Sequence, residues 1–200
     1  MPDRKTVVPA LFVLLWPTGF IGARYAMPWA EPFTFLTARF AMAGVVLGII
    51  GLMVRGQRLS RGDIAWSIII GMLLHGVYLG GVFWAVRQGL PAGLSALIAG
   101  LQPLVTTILA GAFLGERVLA RHWAGLAAGF AGVVAVLAPK LGTGLDAVTP
   151  AMLVASFAAL AAICAGSILQ KRFGPGGNLV AGTAWQYAGA ALLMAAGSAA

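Results

Sequence analysis

Seven long apolar blocks, separated by short polar segments, make up almost the whole chain. Each block holds about 15–23 residues, and a helix needs roughly 20 apolar residues to cross a bilayer core about 30 Å thick. Because lipid offers the backbone no hydrogen-bonding partner, a block that crosses it must be helical. The pattern predicts an all-α membrane protein, a polytopic bundle of seven transmembrane helices. The blocks cover residues 7–23, 33–54, 64–86, 92–114, 123–137, 147–169 and 179–200.

The composition agrees with a bilayer as the main partner. The chain is 60% hydrophobic and 9% charged, whereas soluble domains carry about 25% charged residues. The net charge of +8 does not predict nucleic-acid binding, because the basic residues lie in short gaps rather than on one face. The single cysteine, Cys164, lies inside a block with no partner for a disulfide or a metal site, and we expect a small buried apolar residue.

The basic residues fall mainly into every second gap, which predicts the orientation. Nine lie on the side of the N-terminus and three on the other side, and basic residues accumulate in cytoplasmic loops. We therefore expect a multi-pass protein of a bacterial inner (plasma) membrane with a cytoplasmic N-terminus, Arg58 inside and Asp146 outside. The alternative for the first block is a cleaved signal peptide, with Arg4 and Lys5 as its basic region, residues 7–15 as its apolar core and a cleavage region at Tyr25-Ala26 or Trp29-Ala30. The nine are Arg4, Lys5, Arg55, Arg58, Arg61, Arg117, Arg121, Lys171 and Arg172, and the three are Arg24, Arg87 and Lys140.

The most specific stretch of the chain runs from Gly89 to Gly132. It contains a run of small and apolar residues, then Gln102-Pro103 in mid-block, then Gly115-Glu116-Arg117 at a block end. With Trp16-Pro17 in the first block and Ala38-Arg39-Phe40 in the second, this stretch resembles the EamA domain of the drug/metabolite transporter superfamily. The spacing of the Gln-Pro and Gly-Glu-Arg elements carries the resemblance, since helix-wide similarity is common among apolar sequences.

The resemblance implies a ten-helix transporter built from two five-helix repeats of inverted topology around a central cavity. Residues 1–140 would form the first repeat and residues 141–200 the start of a second, incomplete repeat, so we expect three further helices in the complete protein. The implied function is secondary-active transport or export of small metabolites by alternating access. It does not imply a particular substrate.

A second observation favours the repeat. Ala38-Arg39-Phe40 in the second block aligns with Trp185-Gln186-Tyr187 in the seventh. Because these blocks are five spans apart, the two copies must cross the membrane in opposite senses. The alignment makes Gln186 the counterpart of Arg39 and predicts a cavity with an uneven distribution of charge.

Five residues are candidates for the substrate pathway. Arg39 lies well inside a block, where arginine costs about 2.5–3.5 kcal/mol on insertion scales, so it is expected to face a cavity or a partner. It would contact an anionic or zwitterionic substrate, or bond to helix carbonyls in a structural role. Trp16 could line the pathway or face lipid or the core.

The other three candidates lie in the third and fourth blocks. His75 could relay a proton or bind substrate, or it could be a neutral residue bonded to a carbonyl. Tyr78 follows one turn later on the same face. Gln102 precedes Pro103, whose ring should kink the helix and free carbonyls. Gly71, Gly76 and Gly80 predict close packing on one side of the third block.

The absent groups narrow the function further. All five acidic residues, Asp3, Glu31, Asp63, Glu116 and Asp146, lie in gaps or at block ends. No catalytic set, metal cluster or phosphate-binding loop is present, so we expect no enzyme activity, no metal and no cofactor. The alternatives left open are a non-transporting scaffold or partner subunit and, less favoured, a lipid-acting enzyme. A homodimer also stays open.

Overall fold

The computed structural model describes residues 11, 25–53, 58–115, 119–141 and 147–199. These residues form six long helices joined by short connections, and no strand occurs among them. In chain order the helices are α1 Pro32–Met53, α2 Arg61–Arg87, α3 Ala92–Leu114, α4 Ala120–Leu141, α5 Pro150–Phe173 and α6 Leu179–Ser198.

The helices match the second to seventh apolar blocks, so the all-helical prediction holds for this part of the chain. Five of them, all except α4, are long and apolar enough to cross a membrane. The first block, residues 7–23, falls outside the described residues apart from Leu11, and seven spans therefore stay a prediction. Phe173 ends α5 four residues beyond the predicted block, so Lys171 and Arg172 occupy its last turn, where cations oppose the negative end of the helix dipole.

Polar side chains fix where these helices begin. Both carboxylate oxygens of Glu31 accept hydrogen bonds from the first turn of α1, from the amides of Phe33 (2.9 Å) and Thr34 (2.6 Å). Ser60 and Asp63 form a reciprocal capping box at the start of α2, which satisfies two amides that the helix cannot pair internally. The side chains of Thr149 and Asn178 do the same for α5 and α6.

Two membrane helices depart from regular α geometry near their middles. In α2, residues Met72–Val77 form a π-helical segment, which holds one more residue per turn than the α form. In α3, the helix is interrupted at Leu101 and resumes at Gln102. Pro103 explains that break, because its nitrogen has no proton to donate to the carbonyl one turn earlier. The predicted kink is therefore present as an interruption.

The helices α1 and α6 pack along their whole lengths in opposite directions. Phe33 at the start of α1 lies beside Gly197 at the end of α6, and Gly51 near the end of α1 lies beside Ala181 near the start of α6. The first part of α2 packs on α6, its last part packs on α5, and the second part of α3 also packs on α5. The buried side chains at the centre of this arrangement are Leu36, Phe40, Phe83, Ile163, Cys164 and Ala190.

The glycines of α2 permit the close approach that their spacing predicts. A Cβ on Gly71 would collide with the backbone of Gln186, a Cβ on Gly76 would lie 2.8 Å from Leu193, and one on Gly80 would lie 3.1 Å from Met194. All three contacts are to α6. In contrast, a Cβ on Gly125 or Gly129 of α4 would meet no described atom within 4 Å. This face of α4 is therefore not packed closely against the described helices.

Candidate functional site

A cavity of about 340 Å³ lies between α1, α2, α3, α5 and α6. It brings together four of the five residues that the sequence singled out, although they come from three different helices. We call it the central cavity, and it is lined by Arg39, Leu74, His75, Tyr78, Leu79, Phe83, Gln102, Ile163, Ser167 and Tyr187. The fifth candidate, Trp16, lies outside the described residues.

His75 stands in the π-helical segment near the middle of α2. Its ring stacks on Tyr187 of α6, with centroids 4.6 Å apart and planes 13° apart. Phe40 of α1 lies against both rings, 6.1 Å from His75 and 5.9 Å from Tyr187. Single-turn π segments often accompany functional sites, and here the segment places an imidazole in the cavity wall at the depth where three helices meet.

A short chain of amides leads from His75 towards the end of α5. Gln186 of α6 makes a side-chain hydrogen bond with His75, and its Nε2 donates to Oε1 of Gln170 at 2.6 Å. Because that bond uses the amide nitrogen, the Gln186 oxygen is left to accept from the imidazole N–H. Gln186 is only 6% exposed, so the middle of this chain is shielded from solvent.

Arg39 reaches the cavity from α1 and is exposed rather than buried. Its charge acts on the neighbouring His75. Within the described part of the chain the guanidinium makes no hydrogen bond and no ion pair, so the carbonyl-bonded structural role finds no partner among these residues. Its predicted counterpart Gln186 is uncharged.

The opposite wall of the cavity comes from α3 and α5. Gln102 immediately follows the break at Leu101 and lines the cavity. The Cys164 thiol lies 3.9 Å from the Gln102 carbonyl. Cys164 is fully buried, as its place in an apolar block predicted. Ser167 donates to the Ile163 carbonyl at 2.7 Å, a bond within its own helix. Tyr78 closes the cavity beside His75 on α2.

A second, more open cavity of about 800 Å³ adjoins the first. It lies between α3, α4 and α5 and shares Gln102 and Ser167 with the central cavity. Its far end carries Arg121, His122 and Lys171, which belong to the side predicted to be cytoplasmic. We call it the basic groove. No carboxylate lines either cavity among the residues that the structure describes.

Sequence reasoning missed three polar or aromatic members of the central cavity. Tyr187 is a tyrosine in an apolar helix, which is equally common at lipid interfaces, and Phe83 is indistinguishable from any core phenylalanine. Ser167 gave no signal because serine in a membrane helix can satisfy itself on its own backbone. One signal for Tyr187 was available, since the repeat alignment pairs it with Phe40, the residue that contacts it.

The described residues contain no group of three or more metal-ligating side chains. The acidic residues in this part of the chain, Glu31 and Asp63, cap helices at their ends and line neither cavity. The arrangement can bind and orient a small molecule.

Comparison with known proteins finds bacterial relatives of similar sequence, two of which are named as transporters. The chain is 30% identical over 176 residues to protein PecM of Dickeya dadantii (strain 3937), covering 86% of this chain and 55% of that protein. It is 30% identical over 128 residues to the uncharacterized inner membrane transporter YedA of Escherichia coli (strain K12), covering 62% of this chain and 41% of that protein. It is 28% identical over 141 residues to the uncharacterized transporter YvbV of Bacillus subtilis (strain 168), covering 70% and 45%.

The chain thus spans about half the length of the curated relatives it matches. No solved structure matches it significantly. The model of the EamA-like transporter family matches residues 7–138, which include α1, α2, α3 and most of α4, and with them three of the helices that line the central cavity. Because this match covers more than half of the chain, the protein belongs to the EamA-like transporter family.

Proposed function

We propose that the protein is a secondary-active transporter of small metabolites in a bacterial inner membrane, and that the central cavity is part of its substrate pathway. The observation that carries the proposal is the meeting of Arg39, His75, Tyr78 and Gln102 around one cavity. Polar groups are expensive inside a membrane and usually mark a pathway. A structural scaffold would have no use for four of them around an unfilled space.

We propose alternating access between two inverted repeats as the mechanism. The opposite directions of α1 and α6 support it, because helices paired by an in-plane two-fold axis must cross in opposite senses. Arg39 and Gln186 each lie in the second turn of their own helix, and those helices enter from opposite sides. Residues 1–140 and 141–200 would then belong to different repeats.

Transport is testable in proteoliposomes containing the protein expressed from its complete gene. Vesicles loaded with a metabolite mixture should release particular compounds faster than protein-free vesicles, and the release should saturate. The double variant R39Q/H75Q should abolish it, because both changes remove a polar contact from the cavity. R58Q makes the same arginine substitution before α2, outside both cavities, and should transport normally.

Two outcomes would contradict the proposal. Absence of any protein-dependent release by correctly folded wild-type protein would favour a scaffold or a partner subunit. Chemical modification of the vesicle lipids would favour a membrane-embedded enzyme.

A further inference from the structure

We infer that the central cavity takes a small organic anion, a carboxylate on a planar apolar body, and that Arg39 is the residue that selects it. This rests on the proposed function and names the class of compound the pathway would carry. Three features support it: the charge of the cavity, the nature of its walls and the lining of the groove that adjoins it.

The first supporting feature is the charge of the central cavity. Arg39 brings a permanent positive charge to membrane depth, and the described residues supply no carboxylate to either cavity. A charge without a partner in a poorly polar medium is costly, so a ligand that brings a negative charge would supply the ion-pair partner that Arg39 lacks among the described residues. The guanidinium presents a planar fork that matches both oxygens of a carboxylate. A cation would meet like charge instead.

The residues that line the cavity indicate the shape and polarity of the rest of the ligand. On one side His75 and Tyr187 form a flat stacked pair, and Tyr78 and Phe83 extend the aromatic surface. Aromatic rings favour stacked or edge-on contacts with another planar group. Gln102 is a polar group on the α3 wall that can donate and accept. The volume of about 340 Å³ is near the lower end of small-molecule sites, roughly 300–1,000 Å³.

The basic groove supplies the third argument. It meets the central cavity at Gln102 and Ser167, and its other end carries Arg121, His122 and Lys171. Positive charge along a cleft raises the local concentration of anions and repels cations. An anion approaching from that side would pass basic side chains before it reaches Arg39, so entry and binding select for the same sign of charge.

Three ligands of similar shape test the effect of ligand charge on binding separately from the effect of ligand size. They are 3-phenylpropanoate, its uncharged amide and 3-phenylpropylamine, which share a ring and a chain but carry a negative, a neutral and a positive end. Binding to the detergent-purified protein, expressed from its complete gene, is measured by isothermal titration and by thermal stabilisation. We expect the carboxylate to bind about tenfold or more tightly than the amide, as a charge-assisted bidentate contact allows, and the amine to bind most weakly.

Variants then assign the preference to one residue. R39Q should remove the preference for the carboxylate over the amide, and R39K should keep part of it, because lysine retains the charge without the fork. R58Q should leave the preference unchanged. The wild-type ligand series needs no variant, so the inference stays testable if R39Q fails to fold.

The outcomes separate this inference from transport itself. Tighter binding of the amide or the amine, no carboxylate binding, or an unchanged preference in folded R39Q would overturn the anion assignment. Saturable flux of dicationic dyes would overturn it as well and leave transport standing. Carboxylate binding that depends on Arg39 without any flux in proteoliposomes would uphold the anion site and overturn transport.

Discussion

Three neighbours constrain the His75 ring. Tyr187 covers one face of it, Gln186 makes a side-chain hydrogen bond with it, and Arg39 lies close enough to act on its charge. The ring stands in the π-helical segment and lines the central cavity. A hydrogen-bonded imidazole in a cavity wall is the kind of group that can exchange a proton or contact a ligand.

We predict that H75Q alters transport and flattens its dependence on pH, because glutamine, unlike histidine, has no titratable group. Flux of a transported compound is measured in proteoliposomes from pH 8 down to about pH 4. Elution of H75Q as a single species from size exclusion checks the fold. Flux and a pH profile like those of the wild type would make His75 a packing residue.

Glu31 is a second residue with a measurable role. Partial burial raises the pKa of its carboxyl, but hydrogen bonds from the amides of Phe33 and Thr34 and the charge of Arg87 outweigh that effect and lower the pKa overall. A lowered pKa in the folded state means that the ionised carboxylate stabilises the fold. That contribution is present above the usual pKa of about 4.3 and is lost as the pH falls through the lowered value.

We therefore expect E31A to destabilise the protein by about 0.5–2 kcal/mol at neutral pH, the usual range for loss of a helix cap. Thermal unfolding of wild type and E31A is compared from pH 7 down to pH 3. The difference between them should shrink below about pH 4, where the carboxylate becomes protonated. A difference that stays constant over the whole range would show that ionisation of Glu31 does not contribute.

The sequence predicted a residue of the candidate site only where a polar or charged side chain lies in an otherwise apolar block. Arg39, His75 and Gln102 are conspicuous because each is costly in an apolar block. Tyr187, Phe83 and Ser167 fit their blocks well, so only three-dimensional packing reveals that they face the same space. The same limit applies to Gln170, which lies near a helix end where a polar residue is ordinary, yet bonds to Gln186.

At the scale of helices, α2 and α6 approach each other most closely, as judged by the space around the glycines of the described helices. Gly71 abuts the backbone of Gln186, and Gly189 of α6 in turn abuts Ile68 of α2. In lipid, helices associate through this kind of close packing. The same contact brings Gln186 and Tyr187 to His75, so it also builds one wall of the central cavity.

We predict that G71A destabilises the protein by about 1–3 kcal/mol, the usual range for overpacking, because the new methyl group would collide with backbone that cannot rotate away. Thermal unfolding in detergent measures the loss. G48A is the matched control, since a Cβ at Gly48 of α1 meets no described atom within 4 Å. Equal stability of G71A and wild type would mean that the two helices can separate without cost.

Helix positions were largely predictable, since block boundaries and observed ends differ by a few residues. The interruption of α3 was also predictable, because proline has a fixed effect on a helix. The π segment of α2 was not, because Met72–Val77 contains no residue that demands it. It lies where α2 passes from its contacts with α6 to its contacts with α5.

At the scale of the whole molecule, the sequence predicted the class and left the arrangement of helices open. Apolar length identifies spans, but it does not say that α1 packs along α6 or that α3 packs on α5. The repeat alignment alone pointed to the first of these pairs, and only through the positions around Arg39 and Gln186.

Orientation can be tested directly. In a C164A background, single cysteines at Arg58 and Asp146 are probed in whole cells with a thiol reagent that does not cross membranes. The bias of basic residues predicts labelling at position 146, outside the cell, and none at position 58. Asp146 lies outside the described residues, so this expectation rests on the sequence. Labelling of position 58 alone would reverse the topology.

The π segment of α2 also decides where this span can lose a residue. Each residue advances a helix by 1.5 Å and turns it by about 100°, so a deletion in a regular α-helix rotates the two remaining parts against each other. A π segment holds one residue more than α geometry needs over the same stretch. Deleting one residue between Met72 and Val77 can therefore convert the segment to α-helix and leave Tyr78, Val82 and Phe83 in their buried positions. The same deletion after Tyr78 would rotate the rest of α2 away from its neighbours, although the hydropathy of the span would change equally little.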